Sequence, residues 1–199
     1  MLPLNISHKR IAITGGIGSG KSTIAKMLQI MGYPIFFADK EASLIMDSNT
    51  TVKESLIQLF GPGIYTPDGR LNRVEMAGII FNNEQAKANV NNIVHPAVWQ
   101  RYTEWDMEQS SPITFMESAI LHECGWSNRF DKTICITADL ETRIQRCIER
   151  DKTDREKVIA RINNQMSDSE KCSNSDYIIY TNENCSEIEQ LLNTLEKIL

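Results

Sequence analysis

Apolar and polar positions along this 199-residue chain follow two periods. Short runs rich in β-branched residues read as buried strands at 10–14 (RIAIT), 34–38 (PIFFA), 113–116 (ITFM), 133–137 (TICIT) and 176–181 (DYIIYT). The other period is helical. Apolar residues at 24, 27, 28 and 31 share a face that Gly32 closes as the C′ residue. From 40 to about 108 the pattern is mostly helical. Val52, Leu56, Leu59 and Phe60 lie on one face, and 74–81 and 86–105 read as further helices with Pro96 as a start or a kink. Gly61-Pro62-Gly63 and Pro67-Asp68-Gly69 are turns, and Ile64-Tyr65 is a brief extended piece. Two charged helices, 140–151 and 155–166, precede the last strand. A closing helix over about 186–199 puts Ile188, Leu191, Leu192, Leu195 and Ile198 on one face.

Strands alternating with helices predict an α/β fold with a parallel sheet covered on both faces and ligands at the carboxyl ends of the strands. The chain reads as one domain with three parts. A core comprises 1–39, 109–138 and 169–199. A helical insertion, 40–108, interrupts the alternation and is expected to bind substrate, and the charged segment 139–168 is expected to be a lid.

Composition narrows the partners. Hydrophobic residues are 41% and charged residues 24%, the balance of a globular chain, and the net charge is −5 without a long basic run. That argues against a nucleic-acid partner held through phosphates. The N-terminus lacks a charged segment followed by an apolar one, and no apolar run reaches the length of a membrane span. Five cysteines (124, 135, 147, 172, 185) lack C-x-x-C spacing. Free thiols in a cytoplasmic protein are expected, with the cysteines as small packing residues.

The most informative stretch is Gly15-Gly16-Ile17-Gly18-Ser19-Gly20-Lys21-Ser22, which fits G-x-x-x-x-G-K-[ST] with a strand before it and a helix after it. Glycines allow a tight turn whose backbone N–H groups point at phosphate oxygens, and the following helix presents its positive end to the same anion. Gly16, Ile17, Gly18, Ser19, Gly20, Lys21, Ser22 and Thr23 are the expected nucleotide-phosphate contacts. Lys21 can reach β- and γ-phosphates and the Ser22 hydroxyl can ligate Mg²⁺.

Phosphoryl transfer further requires an oriented nucleophile and charge neutralisation. Asp39, directly after the second strand, can accept a proton from an attacking hydroxyl or hold Mg²⁺ through a water, the reading its strand-end position favours; it can also cap the next helix. Arg143, Arg146 and Arg150, at i, i+3 and i+7, form a guanidinium face, followed by Arg155 and Arg161. They can neutralise developing charge from a lid or remain a solvated face paired with Glu141, Glu149 and Asp151. Glu117, ending ITFME, can hold Mg²⁺ or its water or serve a structural hydrogen bond. His95-Pro96 reads as a helix start or as part of a substrate pocket. The tryptophans and Met27, Met31 and Met46 read as packing.

The string Ile13-Thr14-Gly15-Gly16-Ile17-Gly18-Ser19-Gly20-Lys21-Ser22 resembles the phosphate loop of the dephospho-coenzyme A kinase family. Ala38-Asp39 resembles the end of the family's D-A-D motif, whose last Asp acts as base. Gly69-Arg70-Leu71-Asn72-Arg73 with Ile80-Phe81, His95-Pro96 and Leu121-His122-Glu123 follow in the family's order. So do Arg146 with Arg150-Asp151, Arg161 with Gln165, and Asp176 with Ile178-Ile179 and Asn182. The matches span about 10–182. Phe37 replaces the first Asp of D-A-D, Ala119 a proline, and Lys171 an arginine. The resemblance implies a nucleoside-kinase-like core with a five-stranded parallel sheet, a substrate-binding insertion and a lid. It implies transfer of the γ-phosphoryl of ATP, with Mg²⁺, to the ribose 3′-hydroxyl of dephospho-coenzyme A, the last step of coenzyme A biosynthesis. It further implies catalytic roles for Lys21, Asp39, Arg146 and Arg150. Asn182 is placed near the nucleotide, and Asp39, Arg73, His95, Glu123 and Lys171 near the acceptor.

Another small-molecule P-loop kinase carries the same loop, and the ordered later matches disfavour it. A GTPase-like switch needs N-K-x-D after a strand, and Ser173-Asn174-Ser175-Asp176 lacks the lysine.

Overall fold

The computed structural model describes residues 8–81, 83–183 and 185–199. Five parallel strands, β1 (Lys9–Thr14), β2 (Ile35–Phe37), β3 (Ile113–Glu117), β4 (Lys132–Thr137) and β5 (Tyr177–Tyr180), form one sheet in the order β2-β3-β1-β4-β5. After β1 the chain crosses to one edge, and after β3 it returns over β1 towards the other. Parallel register aligns Ile13 with Glu117, Phe37 with Glu117, and Thr14 with Cys135, so the carboxyl ends of these strands share one rim.

Side-chain alternation explains the two faces. Ile11, Ile13, Phe115, Ile134, Ile136 and Ile179 point one way and pack with Ile24, Ala25 and Leu28 of α1 (Lys21–Ile30) and Leu191, Leu195 and Ile198 of α9 (Glu187–Ile198). The intervening Cys135 points the other way, where its Sγ lies 2.9 Å from the Cys172 Sγ. Both are free thiols, and burial pushes Cys135 well above the ordinary thiol range.

Contacts divide the chain into a sheet unit, 1–37 with 109–199, and a helical unit, Ala38–Glu108. The helical unit contains α2 (Ala38–Ser48), α3 (Thr50–Phe60), α4 (Arg73–Phe81) and α5 (Glu84–Met107). In α5 the buried positions are Ala86, Val90, Val94, Val98, Tyr102 and Asp106, one every four residues. Four residues turn about 400° at 3.6 residues per turn, so the stripe winds by about 40° at each step. One helix can therefore meet α2, α3 and α4.

Several expectations change. Helix α5 runs through Pro96, which is not its start. The segment expected as one helix to 166 ends as α7 (Arg155–Asn163), and a separate α8 (Asp168–Ser173) follows, with Ser167 and Glu170 forming a capping box. Ile188 and Leu192 of α9 are exposed, so the apolar face is narrower than its spacing suggests. Tyr65 pairs with Leu71 in an isolated antiparallel bridge. Among the described residues no helix is long and apolar enough to cross a membrane.

Candidate active site

The glycine-rich loop joins β1 to α1 at the carboxyl rim of the sheet. Gly18 and Gly20 have φ of 78° and 88°, and a side chain at Gly18 would overlap the Arg143 carbonyl, so only glycine fits there. Gly16 has no such φ, but a Cβ on it would run into the Arg143 guanidinium and the Asp168 carboxylate. Helix α1 begins at Gly20 with no side-chain cap and no acidic residue in its first turn. No carboxylate of its own first turn therefore offsets its positive end. The Ser19 and Thr14 hydroxyls are buried there without a hydrogen-bond partner. A buried hydroxyl without a partner costs about 1–3 kcal/mol, which a phosphate oxygen would recover. These features fit a bound polyphosphate.

Lys21 is 8% exposed. Its ammonium donates to the Gly16 carbonyl at 3.2 Å and lies 4.0 Å from Glu117 Oε1, a carboxylate 5% exposed at the end of β3. Ser22 and Thr23 are exposed in the first turn of α1. Among the described residues there is no cluster of three or more His, Cys, Asp or Glu side chains that could hold a metal. The Ser22 hydroxyl and the Glu117 carboxylate are oxygen donors of the kind Mg²⁺ takes alongside waters and substrate phosphates.

The expected guanidinium face separates into three environments. Arg143, on α6 (Leu140–Asp151), is 4% exposed; its Nε donates to the Ile17 carbonyl at 3.0 Å and its Nη1 pairs with Asp168. Arg146 donates from Nη1 to the Thr181 hydroxyl at 2.8 Å, and that hydroxyl donates to the Ser19 carbonyl at 2.9 Å. Arg150 is exposed and grips Asp151 at 2.7 and 3.0 Å, with Arg161 on the same carboxylate at 2.6 Å. Hydrogen bonds from Arg150 and then Arg161 hold Asp151 far below the usual carboxylate range. Only Arg146 and Arg143 therefore connect to the loop, and Arg143 is the connection that the reading as a uniform face did not single out. Its signal was present in the spacing, but nothing local distinguishes a buried arginine from an exposed one.

The Ile17 N–H donates to Gln165 Oε1 at 3.1 Å, a partner within the protein. Lys171 is 0% exposed, and its ammonium donates to the Ala119 carbonyl at 2.6 Å and to Glu123 at 2.5 Å. Glu123 further accepts the Met166 N–H at 3.0 Å. Lys171 and Glu123 thus tie α8 to the segment after β3. Asn182 accepts the Asp139 N–H at 2.9 Å, which joins the end of β5 to the start of α6.

The remaining expected residues belong to the helical unit. Asp39 is exposed in the first turn of α2, which begins at Ala38 directly after β2, so Asp39 is not a capping residue outside the helix. Arg73 pairs with Asp47 at 2.8 Å and donates to the Ser43 hydroxyl, while half of its side chain stays exposed. The Arg73 hydrogen bond holds Asp47 below its ordinary range. His95 is half-buried in α5, and burial lowers its pKa. Within this unit α2 and α5 border a groove of about 530 Å³ lined by Glu41, Leu44, Ile45, Arg101 and Glu104, among others.

Residues 9–187 match the family described as CoaE: Dephospho-CoA kinase. The chain belongs to the dephospho-CoA kinase family. A dephospho-CoA kinase of Bacteroides fragilis (strain YCH46) is 34% identical over 184 residues, which cover 92% of this chain and 89% of that protein. A dephospho-CoA kinase of Fusobacterium nucleatum is 34% identical over 187 residues, covering 94% and 95%. Among solved structures, a Thermus thermophilus protein superposes with TM-score 0.87 at 32% identity, covering 96% of this chain and 98% of its own. The dephospho-CoA kinase of Campylobacter jejuni gives TM-score 0.67 at 27% identity, covering 95% and 96%. A shikimate kinase of Acinetobacter baumannii, at TM-score 0.55 and 15% identity, shares the fold.

Proposed function

We propose that this dephospho-CoA kinase family member transfers the γ-phosphoryl of ATP to the ribose 3′-hydroxyl of dephospho-coenzyme A, yielding coenzyme A and ADP. The observation that carries the reading is the phosphate loop itself, with a buried Lys21 beside Glu117, in a chain that matches the family across 9–187. The loop amides and Lys21 hold the β- and γ-phosphates. The Ser22 hydroxyl, with Glu117 through water, would hold Mg²⁺, which supplies charge neutralisation on the phosphates. Asp39 orients the acceptor hydroxyl and takes its proton. Arg146 leaves Thr181 to reach the transferring group, and Arg150 and Arg161 strengthen the field around it. Segment 139–168 acts as a lid that excludes water from the reacting phosphoryl. Asn182 borders the adenine. The helical unit receives the acceptor, with Arg73 and His95 among its contacts. We assign the activity to the cytoplasm, where both small-molecule substrates occur.

The test is incubation with ATP, Mg²⁺ and dephospho-coenzyme A, with product mass read directly. A phosphate-sized gain on the acceptor, lost in Lys21→Ala, supports the reading. Nucleotide binding without acceptor gain, under any acceptor concentration, removes it. Asp39→Asn retaining full turnover removes the base assignment alone.

A further inference from the structure

Ile17, within the glycine-rich loop, is held by its N–H, its carbonyl and its side chain to the segment that follows β4. Its N–H donates to Gln165 at the end of α7, its carbonyl accepts from Arg143 on α6, and its side chain packs against Ile144, Cys147 and Val158. The flanking residues, Gly16 and Gly18, carry no side chain of their own to fix the turn. Glycines cost more conformational entropy to order than other residues, so such a loop needs restraint from outside.

Arg143 supplies that restraint in a costly form. It is almost fully buried, and a buried charge is tolerated only when paired and hydrogen-bonded. The pairing is Asp168, the first residue of α8, which also accepts the Thr137 hydroxyl at 2.9 Å. A rigid line therefore runs from the end of β4 through Asp168 and Arg143 to the Ile17 carbonyl. A hydrophobic side chain of similar volume would fill the space at lower desolvation cost. What it could not do is fix a carbonyl direction. The guanidinium's planar fork does both tasks at once, because Nε and Nη1 point along different edges of one rigid group.

We propose that Arg143, oriented by Asp168, is a positioning residue for the phosphate loop. By fixing the Ile17 peptide it sets the direction in which the neighbouring loop amides present their N–H groups to the nucleotide phosphates. It touches the loop backbone and acts on the phosphates only through it. This inference rests on the reading of the loop as the ATP phosphate site and adds to it a residue outside the motif.

The test compares Arg143→Met, Arg143→Lys and Asp168→Asn with the wild type. The first readout is calorimetric Kd for a non-hydrolysable ATP analogue with Mg²⁺. The second is separate KM values for ATP and dephospho-coenzyme A. Loss of a charge-assisted hydrogen bond that orients several amides predicts that Arg143→Met weakens the analogue about tenfold or more. KM for ATP rises in parallel and KM for dephospho-coenzyme A stays within about twofold. Arg143→Lys keeps the ion pair but lacks the fork, so it retains the fold and still weakens the analogue several-fold. Asp168→Asn changes the same quantities in the same direction by less.

An analogue Kd within about twofold of wild type in both Arg143 variants overturns the proposal. So does an equal rise of both KM values, the signature of general destabilisation. If Arg143→Met does not fold, Arg143→Lys alone decides by the same criteria. Wild type that binds the analogue but does not phosphorylate dephospho-coenzyme A sinks the acceptor assignment, and the analogue Kd still decides the role of Arg143. Wild type that does not bind the analogue sinks both.

Discussion

Buried charged residues concentrate in the sheet unit, which carries surface ion pairs as well. In the sheet unit Lys21, Glu117, Arg143 and Lys171 are 8%, 5%, 4% and 0% exposed. In the helical unit Asp106 is the charged residue buried to that degree among the described ones, while Arg73–Asp47 and Arg101–Glu41 pair at a partly solvated surface. Apolar residues such as Leu56, Ile64, Val98 and Tyr102, each below 5% exposed, fill the interior of the helical unit. Buried pairs cannot relax into water, so they give fixed directions; surface pairs remain free to exchange partners. The comparison assigns fixed geometry to the phosphate site and adaptable charge to the unit proposed to receive the acceptor.

The largest effect expected from this contrast is on Lys171. Lys171→Met leaves the Glu123 carboxylate without its buried partner and should destabilise the protein by about 3–5 kcal/mol, read from denaturant unfolding. A loss under about 1 kcal/mol would mean that the buried pair contributes no more than a surface one. Leu56→Ala in the helical unit should cost about 2–5 kcal/mol through the cavity that it leaves. A separate, earlier unfolding transition in that variant would mark the two units as independent cooperative blocks.

Arg73→Ala should cost stability only about 0–1 kcal/mol, since half of its side chain is already in water. Its expected signature is a raised KM for dephospho-coenzyme A with KM for ATP unchanged. A rise in both constants would remove Arg73 from the acceptor contacts.

The smallest effect is on pH dependence. His95 in the helical unit and His122 in the sheet unit both have pKa values lowered from 6.5, first by burial and at His122 also by Lys171. The folded state then binds fewer protons than the unfolded one. The stability is present above about pH 6.5 and is lost as the pH falls through each folded value. His95→Gln and His122→Gln should each flatten the fall in stability below pH 6.5. An unchanged slope in both would contradict the burial argument.

The parts legible in the sequence are those set by neighbours in the chain. The strand–loop–helix around Lys21 could be read from eight residues and their flanks. Helix α6 could be read from its charged period, and Gly32, at φ 92°, ends α1 as its position suggests. Helix α8 is not legible from periodicity, because its six residues, DSEKCS, show no apolar period; its one local signal is the Ser167-x-x-Glu170 capping box. Ile188 and Leu192 fall outside the buried face because helical spacing reports a face, whereas its width depends on what packs there.

Local residue types determined that this chain has a phosphate loop, five strands in a helical alternation and a helical insertion, because backbone conformation and short-range hydrogen bonding depend on adjacent side chains. Only the tertiary structure decided which of the three arginines at i, i+3 and i+7 enters the core. Arg143 meets Ile17 across 126 positions of sequence and Lys171 meets Glu123 across 48. Desolvation and pairing depend on those distant partners, so no local pattern could carry them.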